Sequence, residues 1–142
     1  MRILLADDHA VVRRAVKFML AAAFKEAAFG EAEDGPQALE AALSHPWDLV
    51  ILDIAMPGLG GLEVLRELRA QRPELPVLMF SMHAERQYVV RAFRVGANGY
   101  LTKSSAAAEL IKAVGHLLAG GRYVSSALED PPASESARAG GT

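Results

Sequence analysis

Five short apolar runs, each followed by a stretch with helical periodicity, constrain the fold of this chain more than any other feature. The runs lie at residues 3–6, 28–32, 48–53, 77–80 and 98–102, and the second is the weakest. Short, nearly continuous apolar runs are typical of strands that are buried on both faces. Strands that alternate with amphipathic helices form a parallel sheet with helices on both sides. The sequence therefore predicts an α/β fold with a doubly wound, five-stranded parallel sheet.

Cap and turn residues indicate where the helices begin and end. Residues 34–36 read Asp-Gly-Pro, a turn that starts the second helix with proline near its first position. Asp8 is a candidate N-cap of the first helix. Gly96 is predicted to close the fourth helix as a C-terminal cap. Gly120 and Gly121 are expected to stop the last one.

One folded domain is expected at residues 1–123, followed by a flexible tail or linker at residues 124–142. A length of 142 residues fits a single domain. The last residues are rich in proline, serine, alanine and glycine, a composition that is typical of linkers.

Charge and composition argue against several classes of protein. The 17 acidic residues outnumber the 15 Lys and Arg, so a basic nucleic-acid surface is not expected. The chain has no cysteine, which excludes disulfides, thiol nucleophiles and thiolate metal sites. The N-terminus lacks the pattern of a signal peptide, and no run reaches the roughly 18 apolar residues of a membrane helix. We expect a cytoplasmic protein that has no contact with a membrane.

Polar side chains follow four of the five predicted strands. Asp7 and Asp8 come after the first strand, Asp53 ends the third, Ser81 ends the fourth, and Lys103 follows the fifth. Ligands of open parallel sheets bind outside the carboxyl ends of the strands. These five residues are therefore predicted to meet at one edge of the sheet.

The chemistry of this cluster points to phosphoryl transfer. Three neighbouring carboxylates repel one another unless a cation is present. An all-oxygen cluster with no histidine or cysteine partner favours Mg²⁺ over zinc. Asp53 is a candidate nucleophile, because aspartate can carry a phosphoryl group covalently. Lys103 is placed to pair with a phosphoryl oxygen, and Ser81 to donate a hydrogen bond to another.

The same residues, in this order, resemble the receiver domain of two-component response regulators. The resemblance covers about residues 1–123 and rests on ADD at 6–8, VILDIAMPG at 50–58, the strand-end Ser81 and GYLTK at 99–103. It implies a flavodoxin-like (βα)5 fold with strand order 2-1-3-4-5.

The resemblance also implies a role for each residue of the acidic site. Asp53 matches the phosphoacceptor, and Lys103 matches the lysine that binds the phosphate. Asp7 and Asp8 match the acidic pair that holds Mg²⁺. The backbone carbonyl of Ala55 matches the remaining protein ligand of the metal. The phosphoryl donor would be a phosphohistidine of a sensor histidine kinase.

A switch is implied as well. Ser81 matches the hydroxyl that engages the phosphate, and Tyr100 matches the aromatic residue that then turns inward. His83, two residues beyond Ser81, is a candidate for tuning dephosphorylation by steering water.

Three further stretches resemble one particular subfamily of receiver domains. The stretches DDHAVVRRAV, SMHAE and GANGYLTKSSAAAELIKAV resemble receivers of the NarL/FixJ subfamily, which precede a LuxR-type helix-turn-helix domain. This likeness implies homodimerisation on phosphorylation and transcription regulation through a DNA-binding domain that is absent from this chain. A fragment cut at the linker is favoured over a stand-alone receiver.

One position departs from the family pattern. Many receivers carry proline after the active-site lysine, often with a cis bond before it, whereas this chain has Ser104. A cis bond costs about 2.5–4 kcal/mol at a residue other than proline, so this feature is not transferred to the chain.

Simpler interpretations stay open for several residues. Asp7 and Asp8, taken alone, are better explained as caps of the first helix, and only together with Asp53 and Lys103 do they indicate a metal site. Tyr100 in an edge strand is explained equally by packing. His83 and His9 either reach the site or lie in solvent. The basic residues of the first helix are expected to form a solvated face: Arg13, Arg14 and Lys17.

Other functions compete with the phosphorylation-controlled switch. A phosphatase with an aspartyl-phosphate intermediate typically has a second aspartate two residues after the nucleophile, where this chain has Ala55. A flavodoxin-like nucleotide binder needs phosphate-binding donors where this chain has DDHA. A receiver that works without phosphate is the remaining alternative, together with a stand-alone receiver that acts by protein–protein interaction.

Overall fold

The computed structural model of the chain describes residues 1–128. Strands and helices alternate from the N-terminus, as the apolar runs predict. The strands are β1 (Arg2–Ala6), β2 (Ala28–Ala32), β3 (Leu49–Leu52), β4 (Val77–Ser81), β5 (Gly99–Thr102) and β6 (Tyr123–Val124). The helices are α1 (Ala10–Ala23), α2 (Gly35–Ser44), α3 (Gly61–Gln71), α4 (Arg86–Val95) and α5 (Ala106–Leu118). Two single 3₁₀ turns complete the described chain, at Lys103–Ser105 and Ser126–Leu128.

The sheet is parallel throughout, in the order β2-β1-β3-β4-β5-β6. The predicted order of the first five strands is confirmed. A sixth strand adds to the predicted five, because Tyr123 and Val124 pair with Gly99 and Tyr100 of β5. A two-residue strand is too short to give a periodic signal in the sequence.

The sixth strand also bears on the expected end of the folded domain at residue 123. Val124 lies in β6, and Ser125 is fully buried and donates its N–H to the carbonyl oxygen of Tyr100 at 2.9 Å. The expected tail begins inside this ordered segment. Residues 129–142 lie outside the described residues, so the flexible tail stays a prediction there.

Alternate strand residues face two separate cores. One core joins Leu4 and Leu52 to helices α2, α3 and α4. The other joins Ile3 and Ile51 to helices α1 and α5. This alternation explains why successive residues of the central strands are apolar, since side chains on both faces of the sheet are covered.

Most of the predicted helix boundaries are confirmed. Asp34 caps α2 by accepting the N–H of Gln37 at 2.8 Å. Gly96 ends α4 with a φ of 122°, a backbone conformation that favours glycine. Asp8 is not the cap of α1, because the helix begins one residue later with His9 as its N-cap and without a side-chain hydrogen bond.

Within residues 1–128, no helix combines the length and the apolar character that crossing a bilayer requires.

Candidate functional site

The carboxyl ends of β1, β3 and β5 bring three charged side chains together. Asp7 follows β1, Asp53 follows β3, and Lys103 follows β5. The Nζ atom of Lys103 lies 2.7 Å from Oδ2 of Asp7 and 3.2 Å from Oδ2 of Asp53. Both carboxylates are 4% exposed. The expected convergence of these residues is therefore present, with the lysine between two buried carboxylates.

His9 follows Asp7 and Asp8 in the sequence, and its ring contacts both carboxylates. Oδ1 of Asp7 accepts the N–H of His9 at 2.9 Å, so the chain turns around this carboxylate before α1 begins. Nδ1 of His9 lies 3.3 Å from Oδ1 of Asp7 and 3.2 Å from Oδ1 of Asp8. Side-chain ligand atoms of Asp7, Asp8, His9 and Asp53 all lie within 4.8 Å of one another. His9 thus reaches the site, which answers a question that the sequence leaves open.

The carboxylate of Asp53 is in an unfavourable environment for its charge. Burial raises the pKa of this group, and repulsion by Asp7 raises it further. Two neighbours lower the pKa of Asp53: Lys103 and the N–H of Ala55, which donates to Oδ1 at 3.2 Å. Their influence is smaller, so the pKa stays raised. A cation beside Asp53 would relieve this strain.

Lys103 is held in its charged form. Burial lowers the pKa of its ammonium group, but the contacts with Asp7 and Asp53 outweigh burial and leave the pKa raised. The ammonium also lies 5.9 Å from the centre of the Phe80 ring. A largely buried ammonium with a raised pKa is suited to pair with a phosphoryl oxygen.

The candidate switch residues lie beside one another on β4 and β5. Ser81 is fully buried, and its Oγ accepts the N–H of His83 at 3.0 Å. Tyr100 is also fully buried and turned inward, and its hydroxyl donates to the carbonyl oxygen of His83 at 2.7 Å. Burial raises the pKa of this phenol. The loop after β4 is thus bound by both candidate switch residues through the backbone of His83.

The ring of His83 contacts Tyr88 and Glu85. It stacks on the ring of Tyr88 at 4.4 Å, and its Nδ1 lies 3.7 Å from Oε1 of Glu85. Its role in steering water stays a prediction, and it would require the ring to leave Tyr88.

One positioning residue was missed by the sequence analysis, which expected a solvated basic face on α1. The side chain of Arg13 is only 11% exposed. Its guanidinium donates to the carbonyl oxygen of Asp7 at 2.6 Å and to Glu31 of β2 at 2.8 Å. The signal was Glu31, an acid inside an otherwise apolar strand, which needs a cationic partner when it packs beside a helix.

The loop after β5 is organised by hydroxyl groups. Thr102 is buried, and its Oγ1 lies 2.9 Å from Oγ of Ser105 and 3.3 Å from Oγ of Ser104. No cis peptide bond occurs among residues 1–128, so the Lys103–Ser104 bond is trans.

A family model described as the response regulator receiver domain matches residues 3–115. The chain belongs to this family. The match covers β1 through most of α5 and thus includes every residue of the acidic site.

Curated relatives of the chain include two response regulators. The response regulator GacA of Pseudomonas viridiflava is 36% identical over 124 residues, which are 87% of this chain and 58% of that protein. The nitrate/nitrite response regulator protein NarL of Escherichia coli K12 is 40% identical over 126 residues, which are 89% of this chain and 58% of that protein. The chain spans about three fifths of the length of these relatives.

A solved structure agrees with the narrower likeness. A two-component response regulator of the LuxR family from Aurantimonas sp. SI85-9A1 superposes with a TM-score of 0.81 at 35% sequence identity, covering 89% of this chain and 91% of that one. The resemblance to LuxR-type receivers is therefore confirmed.

The acidic site of the receiver domain fits a magnesium ion. Oδ2 of Asp7 is buried, and its partner is the ammonium of Lys103 at 2.7 Å. Three carboxylates within reach of one another supply the oxygen ligands that Mg²⁺ prefers. The raised pKa of Asp53 marks the charge that such an ion would compensate.

The metal-free receiver domain should become more stable when Asp53 is replaced by asparagine. The folded state holds the Asp53 proton more tightly than the unfolded state, so the free energy of unfolding falls as pH rises above the ordinary pKa of 3.8. Asp53→Asn removes this loss and should gain about 0.5–2 kcal/mol at pH 7. Urea unfolding in chelator between pH 4 and pH 7 measures the difference.

The gain should grow with pH through this range and then level off. Glu74→Gln is the control for removing a carboxylate from the surface. An equal gain from Asp53→Asn at pH 4 and pH 7 would show that charge is not its cause.

Proposed function

We propose that this receiver domain is a phosphorylation-controlled signalling switch in which Asp53 accepts a phosphoryl group from a sensor histidine kinase. The observation that carries the proposal is the position of Asp53, buried at the end of β3 and 3.2 Å from the ammonium of Lys103. A carboxylate oxygen of Asp53 forms a bond to phosphorus while the bond to the donor histidine nitrogen breaks. The domain catalyses its own phosphorylation and dephosphorylation, and no turnover of another substrate is proposed.

Lys103 and Ser81 are proposed to hold the phosphoryl group. The ammonium pairs with one phosphoryl oxygen, which replaces its present contact with Oδ2 of Asp53. The hydroxyl of Ser81 donates to another, after the loop at His83 releases it. Both groups stand on strand ends and are therefore positioned before the reaction begins.

The proposed metal ligands are Asp7, Asp8, Asp53 and the backbone carbonyl of Ala55. Bound there, Mg²⁺ supplies positive charge that compensates the carboxylates and the phosphoryl oxygens during transfer. Support comes from the short distances between the side-chain ligand atoms and from the burial of Asp7 and Asp53.

Ser81 and Tyr100 are proposed to convert phosphorylation into a change of surface. Ser81 binds the backbone N–H of His83, and Tyr100 binds the carbonyl of the same residue. A phosphoryl group that draws the Ser81 hydroxyl away loosens one of these bonds and shifts the population of the loop and α4. His83 would then tune the lifetime of the phosphoryl group.

The proposed output is homodimerisation and transcription regulation through an attached DNA-binding domain. The relatives that this chain resembles include a transcriptional activator, ExaE of Pseudomonas putida, which is 39% identical over 128 residues. The alternatives are a stand-alone receiver that acts by protein–protein interaction and a receiver that works without phosphate. The proposed location is the cytoplasm.

Intact mass after incubation with acetyl phosphate tests the proposal. One added phosphoryl group is expected with Mg²⁺ and none in chelator, because the carboxylates repel the donor without a cation. Borohydride reduction followed by peptide mapping should locate the group at Asp53. A group on another residue, or equal uptake in chelator, would contradict the proposal. Size-exclusion chromatography of the modified species then tests dimerisation.

A further inference from the structure

The ring of His9 brings a nitrogen atom into the acidic site. Its Nδ1 lies 3.3 Å from Oδ1 of Asp7 and 3.2 Å from Oδ1 of Asp8. With one carboxylate oxygen of Asp53, these atoms form a set of four that all lie within 4.8 Å of one another. The sequence predicts a cluster of oxygen ligands alone, whereas the structure adds an imidazole nitrogen to it.

The backbone of His9 is held in place on both sides. Its N–H donates to Oδ1 of Asp7 at 2.9 Å, and its carbonyl oxygen accepts the N–H of Arg13 at 3.1 Å in the first turn of α1. The guanidinium of Arg13 also donates to the carbonyl oxygen of Asp7 at 2.6 Å, which ties the turn to the helix. The imidazole is exposed, so it can rotate toward an ion that arrives from solvent while the backbone stays fixed.

The spacing of these atoms suits the ligands of one small divalent ion. Nitrogen and oxygen ligands lie about 2.0–2.2 Å from Zn²⁺, so neighbouring ligands of the same ion stand roughly 3 Å apart. Both contacts of Nδ1 are close to this separation. Imidazole is a preferred ligand of Zn²⁺, whereas Mg²⁺ prefers oxygen ligands and keeps several waters. A nitrogen ligand from His9 therefore extends the range of ions that the site can hold.

We propose that the acidic site also binds Zn²⁺, with Nδ1 of His9 as a ligand beside the three carboxylates. This inference rests on the metal site of the proposed function, to which it adds a ligand and a second ion. Because the same carboxylates serve both ions, Zn²⁺ and Mg²⁺ compete for the site. The imidazole favours Zn²⁺ in this competition and makes no contribution to the binding of Mg²⁺.

Calorimetric titration of the full 142-residue chain with ZnCl₂ and, separately, with MgCl₂ tests the inference. His9→Asn removes the imidazole, and asparagine is a favoured N-cap, so α1 should still begin at Ala10. The affinity for Zn²⁺ should fall at least about tenfold, since even the loss of a group that only supports a metal ligand costs about 10- to 100-fold. The affinity for Mg²⁺ should stay within about twofold. His116→Asn, which removes an exposed imidazole of α5, is the matched control and should change neither affinity.

Nitrogen-15 NMR of the histidine rings completes the test. Zn²⁺ should shift the Nδ1 resonance of His9, Mg²⁺ should leave it in place, and excess Mg²⁺ should weaken the apparent affinity for Zn²⁺. Unchanged or higher Zn²⁺ affinity in His9→Asn would overturn the inference, because the ring would then only form an ion pair with the carboxylates.

Two further outcomes separate this inference from the proposed function. An equal loss of affinity for both ions in His9→Asn would overturn the inference, because His9 would then shape the turn without binding Zn²⁺. Normal binding of Mg²⁺ without any binding of Zn²⁺ would overturn the inference and leave the proposed switch intact. A wild-type chain that binds neither ion would contradict the metal site of the proposed function as well.

Discussion

Asp53→Asn should abolish the uptake of a phosphoryl group from acetyl phosphate in the presence of Mg²⁺. The asparagine amide has the size of the carboxylate and can keep the hydrogen bond from Ala55, but its oxygen carries no charge and is a poor nucleophile. The loss should reach about 10⁴-fold or more, as is found when a nucleophile is removed. Intact mass spectrometry measures it over a time course.

Asp34→Asn is the matched control for this change. Asp34 caps α2 away from the acidic site, and asparagine caps helices as well as aspartate does. Its phosphoryl uptake should equal that of the wild type. Uptake by Asp53→Asn at the wild-type rate would mean that another residue accepts the group, and the proposed function would have to be abandoned.

Asp53→Asn is expected both to stabilise the metal-free domain and to abolish phosphoryl uptake, and both effects come from removing the Asp53 carboxylate. The same burial and the same neighbour, Asp7, that raise the pKa of Asp53 make the metal-free wild type less stable than the variant. A site that places like charges together at a cost in stability is expected where function requires them. A variant that is more stable and also inactive would therefore support a functional origin of the cluster.

The fold could be predicted from the sequence because its signals are local and repeated. The strands β1, β3 and β4 contain continuous apolar runs of four residues, and the caps at Asp34 and Gly96 mark helix ends within one residue. The edge strand β6 gave no such signal. Its two residues are ordered by pairing with β5, an interaction that no local pattern contains.

The part of the acidic site that stands directly at the ends of strands could be predicted from the order of the strands. Asp7, Asp53 and Lys103 stand directly at strand ends, so knowing the strands places them together. The contacts of Arg13 and His9 depend on how α1 is tilted and on which rotamers its first turn allows. Those details are decided by tertiary packing, which sequence periodicity does not specify.

Gly61→Ala should destabilise the domain by about 3 kcal/mol, because it forces an atom into backbone that cannot move aside. Gly61 is the first residue of α3, and its N–H donates to the carbonyl of Ile54 at 2.8 Å. A Cβ atom at this position would lie 2.1 Å from the carbonyl oxygen of Asp53 and 2.8 Å from Cα of Ile54. Urea unfolding of the metal-free protein measures the loss.

The same clash should also slow phosphoryl uptake in the protein that remains folded. The atoms displaced belong to Asp53 itself, and a shift of about 1 Å at a reacting group can reduce a rate about 100-fold. Gly115→Ala is the matched control, since a Cβ there meets nothing within 4 Å inside α5. It should gain about 0.5–1 kcal/mol and keep the wild-type rate. Equal stability of the two variants would mean that α3 can move away from the end of β3, and that the position of Asp53 is not fixed by the packing of Gly61.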